Sequence, residues 1–188
     1  MVREIDCAAP TLAAYRNSTV SIRIVAMSNP QPAASITLRP ATAQDELFLL
    51  TLYKSSRGED LRGLGWEEDR ISEFLDMQYE AQQRFHASEY RHPTDRIVLR
   101  DDEPIGRLLF ETREHEIRCV DIALIPDQRN SGIGAQLLRG LQEEAKRQKR
   151  PLRLQVIRFS RAVSLFERLG FQRISETGTH FQMEWMPE

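Results

Sequence analysis

The chain has 188 residues, 40% hydrophobic and 29% charged, and its 26 basic and 28 acidic side chains give a formal net charge of −2. This length suits one domain with a core of ordinary size, with or without a tail. No apolar run approaches the ~20 residues that a membrane helix needs, and a pI of about 6.1 offers nucleic acid no general attraction. We therefore expect no nucleic-acid or membrane partner, and a small-molecule or peptide substrate.

The two cysteines and the first 35 residues give little chemistry. Cys7 and Cys119 lie far apart and predict neither a disulfide framework nor a zinc site. The first residues lack the apolar segment of a secretory signal, so a cytoplasmic location is expected. Residues 28–35 are polar and contain two prolines, as linkers do. We predict that residues 1–35 are a non-essential extension and linker, and that residues 36–188 form the functional domain.

The first half of this domain predicts one strand and two helices. Ile36–Pro40 alternates in hydrophobicity until a proline ends the strand. Residues 41–56 have apolar side chains at helical spacing, with Thr42 and Asp45 as candidate N-caps. Residues 57–65 contain glycines and predict a loop, and residues 66–90 predict a long helix. The predicted buried side of this helix consists of Ile71, Phe74, Leu75, Gln78, Tyr79, Gln82 and Phe85.

The second half begins with strands. Residues 96–100, 105–111 and 117–125 are three β-like runs whose connections are too short for parallel crossovers, so they are predicted to be antiparallel neighbours. The remaining predicted elements are helix 132–149, strand 152–157, helix 160–169 ended by Gly170, and strands 171–175 and 180–185. This order predicts an α/β fold in which helices flank a mixed, mostly antiparallel central sheet.

The turn before helix 132–149 has the features of an anion site. A helix N-terminus leaves backbone N–H groups unpaired and carries about half a positive charge. Gly132 and Gly134 remove side chains that would keep a phosphate away from those groups, and Arg129 adds a full charge. A P-loop is excluded because no Lys-Ser/Thr pair follows Gly134. A dinucleotide fingerprint would need a small residue where Leu137 stands.

Two motifs resemble those of the GNAT N-acetyltransferases. Arg129-x-x-Gly132-x-Gly134 after an apolar strand resembles the family's motif A, R/Q-x-x-G-x-G/A. Residues 162–171, AVSLFERLGF, resemble motif B, A-x-x-L-Y-x-x-L-G-F. A helix and a strand separate the two motifs, as the family requires, and the resemblance covers residues 36–188. It implies a GNAT-like fold and acetyl-CoA as the co-substrate, without a metal.

The resemblance also assigns roles to individual residues. Strand Ile122 to Leu124 would separate from strand 152–157 to admit the pantetheine arm, and an N–H near Ile122 would polarise the acetyl carbonyl. Phe166 stands near the cofactor sulfur, where the family usually has a tyrosine that can protonate the leaving thiolate. The backbone groups expected to hold the cofactor pyrophosphate are those of Arg129, Asn130, Ser131, Gly132, Ile133, Gly134 and Ala135.

Asp121 is the candidate general base, because it is a carboxylate within the apolar run beside the expected thioester, and burial would raise its pKa. The alternative is a structural ion pair with Arg107 or Arg118. Glu111 is the second candidate. The acids and Trp66 in the segment between the first two helices would suit a cationic amine, or else form a solvated loop. Gln78, Tyr79 and Gln82 would line the same cavity or pack the helix, and His180 is a further, weaker candidate.

These observations predict an N-acetyltransferase that transfers an acetyl group to a primary amine of a small molecule or peptide. The attack would be direct, in a ternary complex, because neither cysteine is placed as a nucleophile. The alternative is a non-catalytic acyl-CoA-binding or sensor module, which Phe166 favours. A third interpretation, a nucleotide-binding domain, predicts stabilisation by ATP or NAD. The identity of the amine is left open, as is a homodimer, which is common among relatives.

Overall fold

The computed structural model describes residues 35–62 and 65–188, so the predicted extension lies outside the described residues except for Ser35. The described residues form four α-helices and seven strands, and the seven strands make up one sheet. The helices are α1 (Glu46–Arg62), α2 (Glu68–Glu89), α3 (Ile133–Gln148) and α4 (Ala162–Arg168). The strands are β1 (Ile36–Pro40), β2 (Pro93–Arg100), β3 (Glu103–Thr112), β4 (Ile117–Leu124), β5 (Leu152–Ile157), β6 (Gln172–Thr177) and β7 (His180–Trp185).

The sheet has the strand order β1-β2-β3-β4-β5-β7-β6. Strands β4 and β5 are parallel, and every other neighbouring pair in this order is antiparallel. The parallel pair needs a crossover, and α3 provides it. The predicted mixed, mostly antiparallel sheet flanked by helices is therefore confirmed, including the single parallel crossover in its second half.

The helices cover the two faces of the sheet differently. The larger core cluster joins α3 and α4 to one face, with Leu138, Leu152 and Met183 among its fully buried members. A smaller cluster, which contains Leu49, Tyr79 and Ile97, joins α1 and α2 to the other face of the first strands. Within residues 35–62 and 65–188, no helix is both long and apolar enough to cross a membrane.

The first two helices differ from the sequence prediction. A 3₁₀ turn, Ala43–Asp45, precedes α1, and Asp45 accepts a hydrogen bond from the Thr42 N–H at 2.8 Å, as a helix-start residue should. Helix α1 then continues to Arg62, although residues 57–65 were predicted to be a loop. In α2 the buried apolar residues are Ile71, Leu75 and Tyr79. Phe85 was predicted to lie on that side but is 57% exposed, and Gln78 is also exposed.

The C-terminal elements lie close to their predicted positions. Helix α4 begins at Ala162 instead of residue 160, and Ser160 still accepts a hydrogen bond from the Ala162 N–H at 3.2 Å. Gly170 has a φ of +85° just beyond this helix, which is the left-handed conformation predicted for a glycine that ends a helix. In the final strand pair, β6 begins one residue later than predicted and extends to Thr177.

Candidate functional site

The parallel strands β4 and β5 pair over only part of their length. The pairs in this ladder are Ile117 with Leu152, Arg118 with Arg153, and Cys119 with Leu154. Beyond these residues β4 continues to Leu124 in register with β3, and β5 continues to Ile157 in register with β7. The ladder between β4 and β5 therefore ends at Cys119 within the described structure, and the sheet opens between residues 120–124 and 155–157. This is the separation that the sequence resemblance predicted.

A bulge in β4 decides which way its side chains point. The register with β3 shifts between Leu109, which pairs with Asp121, and Phe110, which pairs with Cys119, so Val120 is the extra residue. Simple alternation would place Asp121 on the same face as Cys119, in the core under α3. With the bulge, Ile122 and Leu124 pack against that core instead. Asp121 and Ala123 line a cleft on the opposite face.

The start of α3 presents a run of free backbone amides. Arg129 donates its N–H to the Pro126 carbonyl, and the next backbone N–H with an acceptor is that of Gln136, which bonds to Gly132. Among the described residues, the intervening N–H groups have no hydrogen-bond acceptor. We call residues 130–135 the amide turn. Six adjacent donors at a helix N-terminus are a site for an anion with several oxygens.

The conformation of the amide turn depends on two left-handed residues, Asn130 with a φ of +58° and Gly132 with a φ of +85°. A Cβ on Gly132 would point into open space, so this glycine leaves room beside the amides. A Cβ on Gly134 would lie 3.7 Å from Leu165 Cδ2, which is ordinary contact. Gly132 is thus required by backbone conformation, whereas Gly134 lies against α4.

The side chain of Arg129 holds this corner together. Its Nε donates to the Leu124 carbonyl at 2.9 Å, and its Nη2 donates to the Ser55 carbonyl at 3.4 Å. The guanidinium therefore links the end of β4 to α1 as well as adding charge beside the amide turn. Ser131 likewise uses its hydroxyl locally, donating to the Gln128 carbonyl at 2.6 Å.

A cleft lies between the first two helices and the sheet, and we call it the α1–α2 cleft. It encloses about 340 Å³, part of which is open to solvent. Asp121 and Ala123 form its sheet side within the part of β4 that has left β5, so the cleft adjoins the strand opening. Its lining consists of Leu49, Leu52, Tyr53, Ser56, Arg57, Tyr79, Gln82, Arg107, Asp121 and Ala123.

Several lining residues were missed by the sequence analysis. Tyr53 lay within the predicted helix 41–56 with no role in the site, and Arg57 lay in the predicted loop. The available signal was an i, i+3, i+4, i+7 spacing, which places residues on one face of a helix. The residues with this spacing are Leu49, Leu52, Tyr53 and Ser56. Tyr79 both packs and lines the cleft: it is buried, and its hydroxyl accepts a hydrogen bond from Gln83 at 2.8 Å.

Asp121 is not the main partner of any arginine. Arg107 is 7% exposed and makes two hydrogen bonds to Asp95, from Nε at 2.9 Å and from Nη2 at 2.6 Å. Its Nη1 lies 3.8 Å from Asp121 Oδ2, too far for a hydrogen bond. Arg118, the other predicted partner, donates to Glu116 at 3.2 Å. Of the two predicted partners, Arg107 therefore forms an ion pair with Asp121 at 3.8 Å without a hydrogen bond, whereas Arg118 pairs with Glu116.

The surroundings of Asp121 favour a carboxyl that can take up a proton. Burial on the sheet side of the cleft raises its pKa, while the charges of Arg107, His86 and Arg57 limit the rise. One third of its side-chain surface still reaches the cleft. Burial and the charge of Arg107 lower the pKa of His86, and no partner for its buried Nδ1 lies among the described residues.

Glu111, the second candidate base, has a different environment. It is buried, which by itself raises its pKa, but it accepts hydrogen bonds from the His92 N–H at 3.0 Å and from Arg113 Nε at 2.5 Å. These bonds hold its pKa below the ordinary value. A carboxylate that is stabilised as an anion and engaged in this way is a poor proton acceptor, so the structure favours Asp121 over Glu111.

Phe166 and Cys119 both lie in the core. Phe166 is 5% exposed and packs edge-on against Phe171 with ring centroids 5.8 Å apart, so its ring is a packing group of α4 rather than an open wall of the site. Burial raises the pKa of the Cys119 thiol to about 12. A thiol of this kind is a poor nucleophile, and the other cysteine, Cys7, lies outside the described residues.

Of the remaining sequence candidates, those whose side chains the structure describes lie outside the α1–α2 cleft, and the side chains of Glu59 and Asp60 are not among the described ones. Trp66 packs edge-on against Phe74, with ring centroids 5.5 Å apart, and its ring centroid lies 4.5 Å from the guanidinium carbon of Arg70. The Trp66 ring is therefore engaged in packing against the first turns of α2. Glu67, Glu68 and Asp69 are exposed. His180 pairs with Ile157 at the open end of β5, where its Nδ1 lies 3.0 Å from Thr179 Oγ1.

Comparison with known proteins agrees with this architecture. Residues 93–173 match a family model described as an acetyltransferase (GNAT) domain. PaiA N-acetyltransferase from Thermoplasma acidophilum, solved with coenzyme A, is 20% identical over 81% of this chain and 99% of its own, with a TM-score of 0.64. An acetyltransferase from Thermus thermophilus is 17% identical over 81% and 97%, with a TM-score of 0.59.

A third similar structure is the ribosomal-protein-S18-alanine N-acetyltransferase from Escherichia coli, which is 17% identical over 80% of this chain and 91% of its own, with a TM-score of 0.52. At such identities the structures show a shared fold. No curated protein matches the chain in sequence. The family model, which covers residues 93–173, and the shared fold confirm the resemblance to the GNAT family that the two motifs predicted.

Among the described residues, no group of three or more His, Cys, Asp or Glu side chains is arranged to hold a metal ion.

Proposed function

We propose that this protein is an acetyl-CoA-dependent N-acetyltransferase that acts on a primary amine of a small molecule or peptide. The observation that carries the proposal is the position of Asp121. It lies on the part of β4 that has separated from β5, and it faces the α1–α2 cleft. The segment that follows β4 leads into the amide turn. One opening thus joins an anion site to a cleft with a proton acceptor.

The residues at the opening fit acetyl-CoA. The amide turn supplies six donors for the diphosphate, and Gly132 leaves the space next to them free. The separated edges of β4 and β5 offer backbone groups with which the amides of a pantetheine arm can pair. When bound, acetyl-CoA would supply an activated acetyl group as a thioester. The structure of PaiA N-acetyltransferase with coenzyme A supports this choice of ligand.

Asp121 would act as the general base. A lysine-like amine has a pKa of ~10.4 and enters the site protonated, so its proton must be removed before the nitrogen can attack. The raised pKa of Asp121 makes it a stronger acceptor than an ordinary aspartate. The acetyl group would pass directly to the amine, because Cys119 is buried and protonated.

Two measurements on the full chain test this proposal. Release of free thiol from acetyl-CoA is followed across a panel of amino acids, polyamines, aminoglycosides and peptide N-termini, and coenzyme A binding is measured by calorimetry. We expect binding together with turnover on at least one amine. A chain that is stabilised by ATP or NAD and does not bind coenzyme A would contradict the proposal.

A second candidate is a non-catalytic acyl-CoA-binding or sensor module with the same fold. Phe166 favours it, because a buried phenyl ring stands where the family usually has a tyrosine and it offers no proton for the departing thiolate. This candidate predicts coenzyme A binding without turnover on any amine. The two measurements above therefore separate the candidates.

The extension, the cellular location and the oligomeric state stay predictions. We propose that residues 1–35 are not needed for activity. A chain shortened to begin at Met27 is expected to retain its melting temperature and its coenzyme A affinity, and loss of either would show that the extension is part of the domain. A cytoplasmic location and a homodimer remain the expectation for this family.

A further inference from the structure

A buried ion pair beside Asp121 is not explained by acetyl-CoA binding. Asp95 on β2 and Asp121 on β4 both lie opposite Leu109 of β3 in the sheet register. Arg107 lies two residues before Leu109, so its side chain points to the same face and lies diagonally from both carboxylates. One buried arginine therefore stands between two acids, and only one of them is the proposed base.

The arginine is shared very unequally. Two of its nitrogens form the two-bonded fork with Asp95 at 2.9 and 2.6 Å, whereas its third nitrogen stays 3.8 Å from Asp121. Such two-bonded pairs are the strongest carboxylate contacts that arginine makes. If Asp95 did not occupy the fork, Asp121 would be the nearest remaining carboxylate. A forked Asp121 would be a structural anion, like Asp45 with Arg39.

We propose that Asp95 is a positioning residue, which holds Arg107 in a two-bonded pair and so leaves Asp121 able to accept a proton from the amine. This inference rests on the proposed base role of Asp121. The charged and titratable groups that face Asp121 are Arg107 from β3, Asp95 from β2, Tyr53 and Arg57 from α1, and Tyr79 and His86 from α2. Of the two arginines, Arg107 is the buried one, so solvent screens its charge least.

Two substitutions break the same ion pair but should act on Asp121 in opposite directions. Asp95→Asn removes a nearby negative charge and frees Arg107 to approach Asp121, so the pKa of Asp121 should fall by about 1 pH unit. Arg107→Gln removes the cation and leaves Asp95 unneutralised, so the pKa of Asp121 should rise by about 1 pH unit. An ion pair whose charges are too well screened to act on Asp121 would produce neither shift.

The pKa is measured by NMR on protein labelled with ¹³C at the aspartate carboxyl carbons, and the Asp121 signal is identified by its loss in Asp121→Asn. This titration requires no acetyl transfer, so it gives an answer even if the chain proves to be a sensor. In an active enzyme, the acid limb of the kcat profile should move in the same direction as the pKa, while KM for acetyl-CoA stays unchanged. Shifts of the same sign, or no shift in either variant, would overturn the proposal.

A matched control uses a second forked pair, Asp45 with Arg39, whose bonds measure 2.7 and 2.5 Å. Asp45→Asn should lower the melting temperature without moving the Asp121 titration. If one of the single variants fails to fold, the double variant Asp95→Asn with Arg107→Gln leaves no buried charge in the pair. Its Asp121 pKa should lie between the values expected for the two single variants, and a value outside that interval would also contradict the proposal.

Discussion

The amide turn and the α1–α2 cleft lie on either side of the same strand opening, yet they are built from different groups. The amide turn consists of backbone N–H groups whose direction is fixed by Asn130 and Gly132. The cleft consists of side chains brought together from α1, α2, β3 and β4. A site built from backbone groups suits a cofactor, which is the same molecule whatever the acceptor is. A site built from side chains can differ between acceptors while the backbone site stays the same.

The two regions also differ in energetic cost. Free amides at a helix start are well hydrated when no anion is bound, and every helix has them. A partly buried carboxylate such as Asp121 is desolvated, and its raised pKa expresses that cost. Variants in the amide turn should therefore change cofactor affinity, whereas variants of Asp121 should change the chemical step and the stability of the fold.

The largest expected effect comes from Asp121→Asn. Removal of a general base usually costs about 10²- to 10⁴-fold in rate, so kcat should fall within that range. Coenzyme A affinity, which under the proposed function depends on the amide turn, should stay unchanged. Glu111→Gln is the control, and its kcat should stay near that of the wild type because Glu111 is held by His92 and Arg113. Steady-state kinetics and calorimetry check both. A large loss of kcat in Glu111→Gln alone would transfer the base role to Glu111.

This contrast explains which part of the site could be predicted from sequence. The amide turn needs glycine at a left-handed position and a helix that begins after a strand. Both requirements are visible in the sequence of residues 129–134. The opening between β4 and β5 followed from the family resemblance. The orientation of Asp121 could not be predicted, because it depends on the bulge at Val120, which reverses the alternation along β4.

The α1–α2 cleft was the least predictable region. Gly58 suggested a loop because glycine costs about 1 kcal/mol within a helix relative to alanine, yet α1 continues through it as a buried position. Tertiary packing outweighs this local preference. The extended helix then places Arg57 in the cleft. The pairing of Arg107 with Asp95 was also unpredictable, since it depends on the register of β2 against β3.

An intermediate effect is expected from Gly134→Asp. The new carboxylate would lie at the second residue of α3, where it suits the helix dipole, so the fold should be retained. Next to a diphosphate it would meet like charge, which costs several kcal/mol, or about 100-fold in coenzyme A affinity. Gly134→Ala is the control, because its Cβ would only touch Leu165. Equal coenzyme A affinity for both variants by calorimetry would mean that the diphosphate does not bind at the amide turn.

The smallest expected effect concerns stability, and it distinguishes the two carboxylates by sign. The pKa of Asp121 is raised in the folded state above its unfolded value of ~3.9, so the stability that its protonated form contributes is present below that value and is lost as the pH rises through the folded pKa. Asp121→Asn does not titrate and should melt about 2 °C above the wild type at pH 7, with the difference vanishing near pH 3.5. A lower melting temperature at pH 7 would contradict a desolvated base.

Glu111 should behave in the opposite way. Its pKa is lowered by folding, so the stability it contributes is present above its unfolded value of ~4.3 and is lost as the pH falls through the folded pKa. Glu111→Gln should therefore melt below the wild type at pH 7, and the deficit should shrink in acid. Melting curves of both variants between pH 3.5 and 7 should then diverge from that of the wild type in opposite directions, because folding favours the charged form of Glu111 and the neutral form of Asp121.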